Sequence, residues 1–420
     1  MVALPEEFIK TTRQLMGEER FNRYLSAFEE EPPVSIRLNP KVPSCLPRLE
    51  GALPVPWCRN AYYLSKRPNF TFDPLLHAGC YYVQEAASMF LDIVLHQHIT
   101  PLTSHHSPLI ALDMCAAPGG KSTLMRSALP EGSVLYSNEP VPKRASILLE
   151  NITKWGYSDC FVTNNYPRDY VRSGLKFDVI LCDVPCSGEG LFRKDPQTIG
   201  EWSPQNVEKC WRLQRDIVSD AWTCLNDGGL LIYSTCTFNT KENEENIRWM
   251  LDTFDAEVLP VNTEPEWNIT GSLLPDFNAP VYRFIPGITR SEGLFMAILR
   301  KKGKATPQPL PIKKGRKMHK GESGIHKLQV IPPLLYREGP GVGLVELSYQ
   351  QAIAYLHGEA LMLPADTPRG LVTVCFLGHS LGMVKNLGTR ANNLYPKEWR
   401  IKSTHVPQEY TPVSNYFLSE

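Results

Sequence analysis

The chain has 420 residues, 42% hydrophobic and 21% charged, with zero formal net charge; that is the make-up of an ordinary soluble protein of two or three domains, since one core seldom grows past roughly 250–300 residues. No run approaches the roughly 18 apolar residues of a membrane span, and the acidic, proline-containing Met1–Lys10 is unlike a signal peptide, so a cytoplasmic protein is expected. The 11 cysteines are irregularly spaced and no two are separated by just two residues, which argues against a zinc ribbon or a CxxC redox motif and leaves reduced thiols, most of them inert in the core.

Phe8, Leu15, Met16, Phe21, Tyr24, Leu25 and Phe28 recur at helical spacing across Leu4–Glu30, and Pro32-Pro33 ends the pattern. With a short strand at Ser35–Pro40, this predicts a small α+β N-terminal domain over residues 1–76. A helix over Gln84–Gln97 opens the next unit, residues 77–302. In it, strands at Leu109–Met114, Val134–Asn138, Cys160–Thr163, Val179–Asp183, Leu230–Thr235 and Leu294–Leu299 alternate with helices beginning near Lys121, Pro142, Pro204 and Lys241. Such alternation predicts the α/β class, a parallel sheet wrapped on both faces. Residues 303–328 are rich in Lys, Gly and Pro and lack periodicity, as a basic flexible linker does. Arg300–Lys327 holds ten Lys/Arg against one acid, and Lys385–Lys402 five against one. A basic carboxyl-terminal third on an acidic body suggests an anionic polymer partner, although a solvated linker explains the first segment equally well. Residues 329–420 carry short strands (Gly341–Val345, Leu371–Cys375), a helix at Tyr349–His357, and Tyr395 and Trp399 among positive charges; a compact, mostly β module is expected.

The stretch Phe177–Lys194 organises the middle unit. Its apolar strand runs into Asp183-Val-Pro-Cys186 and a glycine-containing loop, so an acid and a thiol stand at the carboxyl end of a strand, where open α/β sheets bind ligands. Leu230–Cys236 repeats the arrangement and brings a second thiol. Helix amino termini nearby would favour the thiolate, although core packing is the plainer reading of any single cysteine. Two converging thiols suit methylation at carbon 5 of a pyrimidine, too weak a nucleophile to take a methyl group directly. One sulfur adds to carbon 6, carbon 5 attacks the methyl group, and a base removes the carbon 5 proton so that the sulfur leaves with the second thiol assisting. Asp183 would bond the ring nitrogen and exocyclic amine of the base. Upstream, Asp113–Lys121 (DMCAAPGGK) follows a strand. Gly120-Lys121-Ser122 imitates a phosphate loop, but Cys115 stands where its first glycine belongs, and no Gly-x-Gly-x-x-Gly is present. S-adenosylmethionine fits better, with Glu139 at the end of the next strand for its ribose hydroxyls; a plain glycine turn is the alternative. His96, His98, His105 and His106 match no ligand spacing, so no metal site is expected.

Tyr82–Ser88, Asp113–Lys121, Asp183–Pro196, Tyr233–Cys236 with Glu242–Asn246, and Arg283–Pro286 before Glu292–Phe295 together resemble the RNA 5-methylcytosine methyltransferases of the Sun and nucleolar-protein type, most like the bacterial ribosomal small subunit methyltransferase F branch. The resemblance implies a Rossmann-like S-adenosylmethionine-dependent methyltransferase core. From Gly388–Ile401 and the Tyr349–Glu359 helix it also implies a C-terminal PUA-like RNA-binding module. Cys236 would be the covalent nucleophile and Cys186 the residue that assists release. Cys115, Ala116, Ala117, Pro118, Gly119, Gly120, Lys121, Glu139 and Asp183 would contact the cofactor or line its site. Asp183 and Pro185 would face the cytosine, and Arg193 and Lys194 would meet the RNA backbone. The chain departs from the pattern at Val184, where many members have alanine, and at Asn164, which would bind the cofactor's adenine amine with an amide oxygen where some relatives place an acid. The expected activity is methylation of carbon 5 of a cytidine in 16S ribosomal RNA or the small ribosomal subunit, by a monomer without metal. The rivals are a transfer RNA cytosine-5 methyltransferase and a non-catalytic RNA-binding or ribosome-assembly factor; the latter would need neither cysteine, nor Asp183 or Glu139.

Overall fold

In the computed structural model, which describes residues 3–42, 51–102, 108–303, 325 and 343–418, an eight-stranded sheet runs through the middle of the chain. It is preceded by α1 (Glu6–Met16), α2 (Glu18–Ser26), β1 (Val34–Leu38), β2 (Ala61–Leu64), α3 (Pro74–His77) and β3 (Tyr81–Val83). These three strands form an antiparallel sheet in the order β2-β1-β3. The single helix expected over Leu4–Glu30 is broken at Gly17, whose φ of 76° ends α1 and starts α2. The two helices bury Phe8, Phe21 and Tyr24 against Phe192 and Phe238 of the central domain.

That domain consists of α4 (Leu91–Leu102), β4 (Ile110–Asp113), α5 (Gly120–Ala128), β5 (Val134–Asn138), α6 (Pro142–Trp155), β6 (Cys160–Thr163), α7 (Pro167–Ser173), β7 (Phe177–Asp183), α8 (Gln197–Glu201), α9 (Pro204–Cys224), β8 (Leu225–Thr235), α10 (Glu244–Thr253), β9 (Ala256–Val258), β10 (Tyr282–Phe284) and β11 (Leu294–Lys301). The strand order is β10-β11-β8-β7-β4-β5-β6, with β9 paired to β11. Val179, Ile180, Leu181 and Cys182 of β7 are fully buried, as a central strand covered on both faces requires. Pro142 and Pro204 occupy the first turns of α6 and α9, and Ser203 caps α9 by accepting from the Asn206 amide at 3.0 Å. β4 to β8 pair in parallel, but the expected wholly parallel sheet fails at β9, β10 and β11, which pair antiparallel. The chain returns from β10 to β11 without the crossover helix that parallel pairing demands. Strand order reverses at β4, so the crevice opens at the carboxyl ends of β4 and β7.

The C-terminal module has β12 (Gly343–Glu346), α11 (Tyr349–His357), β13 (Gly370–Phe376), β14 (His379–Asn386) and β15 (Ala391–Asn393), in one sheet of that strand order. It does not stand apart. Ile36, Phe72, Leu75 and Tyr81 share one apolar core with Ile353, Tyr355, Leu356, Val374 and Val384. The tail then joins the N-terminal sheet: the Leu418 amide donates to Tyr63 O at 3.1 Å and the Leu53 amide to Leu418 O at 2.6 Å. Of the expected linker 303–328, all but residues 303 and 325 lie outside the described residues. Among the described residues, no helix is long and apolar enough to cross a membrane.

Candidate active site

β4 ends in Asp113, and the loop after it reaches α5 through Gly119, whose φ of 118° is open to glycine alone at low cost. The loop is held from several sides. The Ala116 amide donates to Asn138 O at 2.7 Å, Arg144 Nη2 to Ala117 O at 3.1 Å, and Asn151 Nδ2 to Pro118 O at 2.8 Å. From the N-terminal sheet, buried Arg37 donates to Gly120 O at 3.2 Å and Thr123 Oγ1 at 2.6 Å. Burial pushes the Cys115 thiol well above its ordinary range, which makes it lining and no nucleophile. Lys121, at the start of α5, points to β7.

Two buried acids here are incompletely bonded. Asp113 Oδ2 accepts from Ser122 Oγ at 2.6 Å while its Oδ1 has no well-aligned hydrogen bond, only the Cys115 amide nearby, and burial raises its carboxyl to about 7. Glu139, 1% exposed, accepts the Val141 amide on Oε1 at 3.0 Å. Its Oε2 has Arg144 Nη1 at 3.3 Å as an ion partner, misaligned for a hydrogen bond. Such atoms are costly unless a ligand completes them. A ribose diol at Glu139 fits that vacancy of bonding, and the α5 amino terminus fits an anionic end. Asn164 commits its amide nitrogen to Glu139 O at 2.7 Å and Pro140 O at 3.0 Å, so its side-chain oxygen is what it can offer a ligand. These residues fit a nucleoside cofactor.

At the ends of β7 and β8 each carboxylate oxygen already has a partner within the protein. Asp183 Oδ2 pairs with Lys121 Nζ at 2.8 Å, and Oδ1 accepts from Ser234 Oγ at 2.6 Å. Burial opposes the Lys121 charge, but Asp183 outweighs it and holds the ammonium above its ordinary range. Cys186 Sγ lies 2.9 Å from Cys236 Sγ and accepts the Cys236 amide at 3.2 Å. The hydrogen bond to Cys236 first, and burial second, push the Cys186 thiol well up. Beneath the thiols, Glu189 accepts the Phe238 and Asn239 amides at 2.8 Å each and Trp202 Nε1 at 2.9 Å. The Gly190 amide donates to Cys236 O at 2.8 Å, and the Gly293 amide to Gly190 O at 3.2 Å. A methyl group on Gly190 would stand 2.7 Å from Gly293 Cα and 2.9 Å from Cys236 O.

Pro185 is exposed at the crevice, with its carbonyl taken by Gln214 Nε2 at 2.9 Å; Val184 is buried and Lys194 is exposed. Arg193 differs from expectation. Its guanidinium is 6% exposed, paired with Glu292 at 2.7 Å, and donates to Ala27 O and Ser291 O at 3.2 Å each, so it ties loops together and does not face an RNA phosphate. Of the four histidines, His96 is 3.8 Å from Asp92, while His105 and His106 lie outside the described residues. Among the described residues no cluster of three or more His, Cys, Asp or Glu could hold a metal. Arg37, Glu189, Gln214, Ser234, Asn239 and Glu242 carry this geometry without having been singled out by residue type. Glu189, Ser234 and Glu242 lie in matching stretches without a role of their own; Arg37, Gln214 and Asn239 carry no signal.

Residues 100–300 match the family described as 16S rRNA methyltransferase RsmB/F, residues 4–86 the N-terminal domain of 16S rRNA methyltransferase RsmF, and residues 343–401 the methyltransferase RsmF PUA domain. The ribosomal RNA small subunit methyltransferase F of Pectobacterium atrosepticum is 32% identical over 324 residues, 74% of this chain and 65% of that protein, so the match spans just under two thirds of the relative's length. The Erwinia tasmaniensis protein of the same name is 26% identical over 94% of this chain and 97% of its own. A solved methyltransferase homolog protein from Pyrococcus horikoshii superposes with a TM-score of 0.58 at 26% identity, covering 71% of this chain and 96% of that one. NSun6 from Pyrococcus horikoshii with SFG gives 0.57 at 20% identity, covering 72% and 99%, a likeness of fold.

Proposed function

On the matches of the chain's three segments to the 16S rRNA methyltransferase RsmB/F, RsmF N-terminal and RsmF PUA families, we propose that it uses S-adenosylmethionine to methylate carbon 5 of a cytidine in 16S ribosomal RNA, acting in the cytoplasm on that RNA or on the small ribosomal subunit. The observation that carries this reading is the 2.9 Å approach of Cys186 Sγ to Cys236 Sγ at two adjacent strand ends, one of which ends in Asp183. A binding protein has no use for two thiols in contact beside a half-buried ion pair.

Bound S-adenosylmethionine would supply an electrophilic methyl group. Glu139 Oε2 would take the ribose hydroxyls, Asn164 the adenine amine through its oxygen, and the Cys115–Gly120 backbone would follow the amino-acid end. Asp183, already accepting from Lys121 and Ser234, has a lone pair left for the exocyclic amine of cytosine. Cys236 attacks carbon 6 as the thiolate, with Cys186 donating to it from the side. Carbon 5 would then take the methyl group as the sulfonium–methyl bond breaks and the cofactor is left as the neutral thioether. A base then removes the carbon 5 proton, the carbon 5–carbon 6 double bond re-forms, and the carbon–sulfur bond breaks. The Cys186 S–H stabilises the departing Cys236 thiolate. The target base must leave its stack to reach both sulfurs. Exposed Lys385, Arg390, Lys397 and Lys402 of the C-terminal module would neutralise phosphates and make binding salt-dependent.

Bisulfite sequencing of ribosomal RNA from cells lacking the protein tests the reading. One 16S cytidine should lose protection and regain it with the wild-type gene but not with Cys236→Ala. Loss of methylation from transfer RNA with 16S unchanged would move the substrate, and no loss in either RNA would overturn the proposal.

A further inference from the structure

Cys236 and Cys186 are fixed by different means. Cys236 follows β8 directly, where Thr235 is paired to Phe295 of β11, and its carbonyl accepts from Gly190. Cys186 sits three residues past the end of β7, in a loop with no ladder. What grips it is a carboxylate. Glu242, fully buried, accepts on Oε2 the amide of Ser187 at 3.1 Å and Gln214 Nε2 at 2.6 Å, and on Oε1 Asn239 Nδ2 at 2.8 Å. The same Gln214 nitrogen donates to Pro185 O at 2.9 Å. The peptide groups on both sides of Cys186 are therefore tied to one acid, which is itself set on the loop after Cys236 through Asn239. Tyr233 OH closes the cage by donating to Glu242 O at 2.6 Å.

We infer that Glu242 is a positioning residue for the release step of the proposed reaction: through Ser187 and Gln214 it holds the Cys186 thiol against the departing Cys236 sulfur. The inference rests on the covalent cytosine-5 reading. Removing the clamp frees the Cys186 loop and leaves β8 and Cys236 where they are, so attack proceeds and departure does not. The charge acts in the same sense. Glu242 adds to the larger effects of Cys236 and of burial in pushing the Cys186 thiol up, so that Cys186 meets the departing sulfur as an S–H hydrogen-bond donor.

The test is single-turnover methylation of unmodified 16S RNA transcript with S-adenosylmethionine by the full-length protein, followed on denaturing gels. In Glu242→Gln the side-chain nitrogen meets donors from Gln214, Asn239 or Ser187, which breaks the cage at constant volume. Adduct formation should stay within about threefold of wild type while release slows about 100-fold, because a displacement of the order of 1 Å at a reacting pair has that cost. KM for S-adenosylmethionine should not move. Formation and release falling together, a raised KM for S-adenosylmethionine, or normal turnover would overturn the inference. Gln214→Leu, which releases Pro185 O from the opposite side, carries the same expectation and serves if Glu242→Gln does not fold. Cys186→Ala is the control: if it traps no adduct, the covalent reading itself fails, whereas trapping by Cys186→Ala without trapping by Glu242→Gln or Gln214→Leu rejects the clamp alone.

Discussion

The two halves of the crevice are built on opposite terms. Around the cysteines, Glu189, Glu242 and Asn239 have their polar atoms spoken for, and the Arg283–Glu244 pair behind them is buried at 1% and 0% exposure. Around the loop after β4, Asp113 Oδ1 and Glu139 Oε2 are buried without hydrogen bonds. A region that bonds the substrate's reacting atoms only fleetingly must be rigid before it arrives, because catalysis favours groups that need no reorganisation. A region that binds a ligand tightly gains by leaving atoms for that ligand to satisfy. The contrast separates a preorganised wall from a socket.

The hardest blow to the wall is Cys236→Ala, expected to lower methylation more than about 1,000-fold with no adduct, against trapped protein–RNA adduct in Cys186→Ala; equal phenotypes on a denaturing gel would erase the division of labour. Next, Arg283→Ala leaves Glu244 buried and unpaired and should cost about 3–5 kcal/mol in urea unfolding, since Arg283 also donates to Phe238 O at 2.8 Å. In the socket, Asp113 holds its proton to about pH 7 in the native state against 3.8 in the unfolded chain. The native state therefore binds more protons between about pH 4 and 7, and stability falls as pH rises through that window and levels above it. Asp113→Asn should flatten the dependence, a difference of about 2–3 kcal/mol between pH 5 and 8 read from urea midpoints. The smallest effect is expected for Glu139→Ala. Calorimetry should find S-adenosylmethionine binding about tenfold weaker, with the unfolding midpoint lowered only slightly, because the free protein loses just the Val141 amide bond to Oε1 and an ion pair to the half-exposed Arg144.

β4 to β7 and the glycine loop are legible in the chain because each is a local pattern, an apolar run stopped by Asp, Asn or Gly, whereas β8 is legible only from Leu230 on, its first residues Leu225–Gly229 reading as a turn. Cys186 and Cys236 are legible for the same reason, at the ends of such runs. What escapes is long-range pairing. Arg193 looks like a phosphate ligand until Glu292, 99 residues on, claims it. Arg37 sits in the short strand expected at Ser35–Pro40, but nothing local tells that it reaches Gly120, 83 residues away. Gly17 interrupts a helical pattern that hydrophobic spacing alone carries straight through. Nor does any local signal tell that Ile36 and Tyr81 share a core with Leu356 and Val384, because each set also reads as the interior of its own small domain.

Gly190 and Gly293 meet backbone to backbone beneath Cys236, each occupying the volume into which the other's side chain would grow. Compensation between contacting residues ordinarily works by shrinking one when the other enlarges. Here both are already at the minimum. In a genetic selection for revertants, a Gly190→Ala or Gly293→Ala allele should therefore yield only true reversions, while damage at a neighbouring pair with volume to trade, such as Phe192 and Phe8, should yield second-site suppressors.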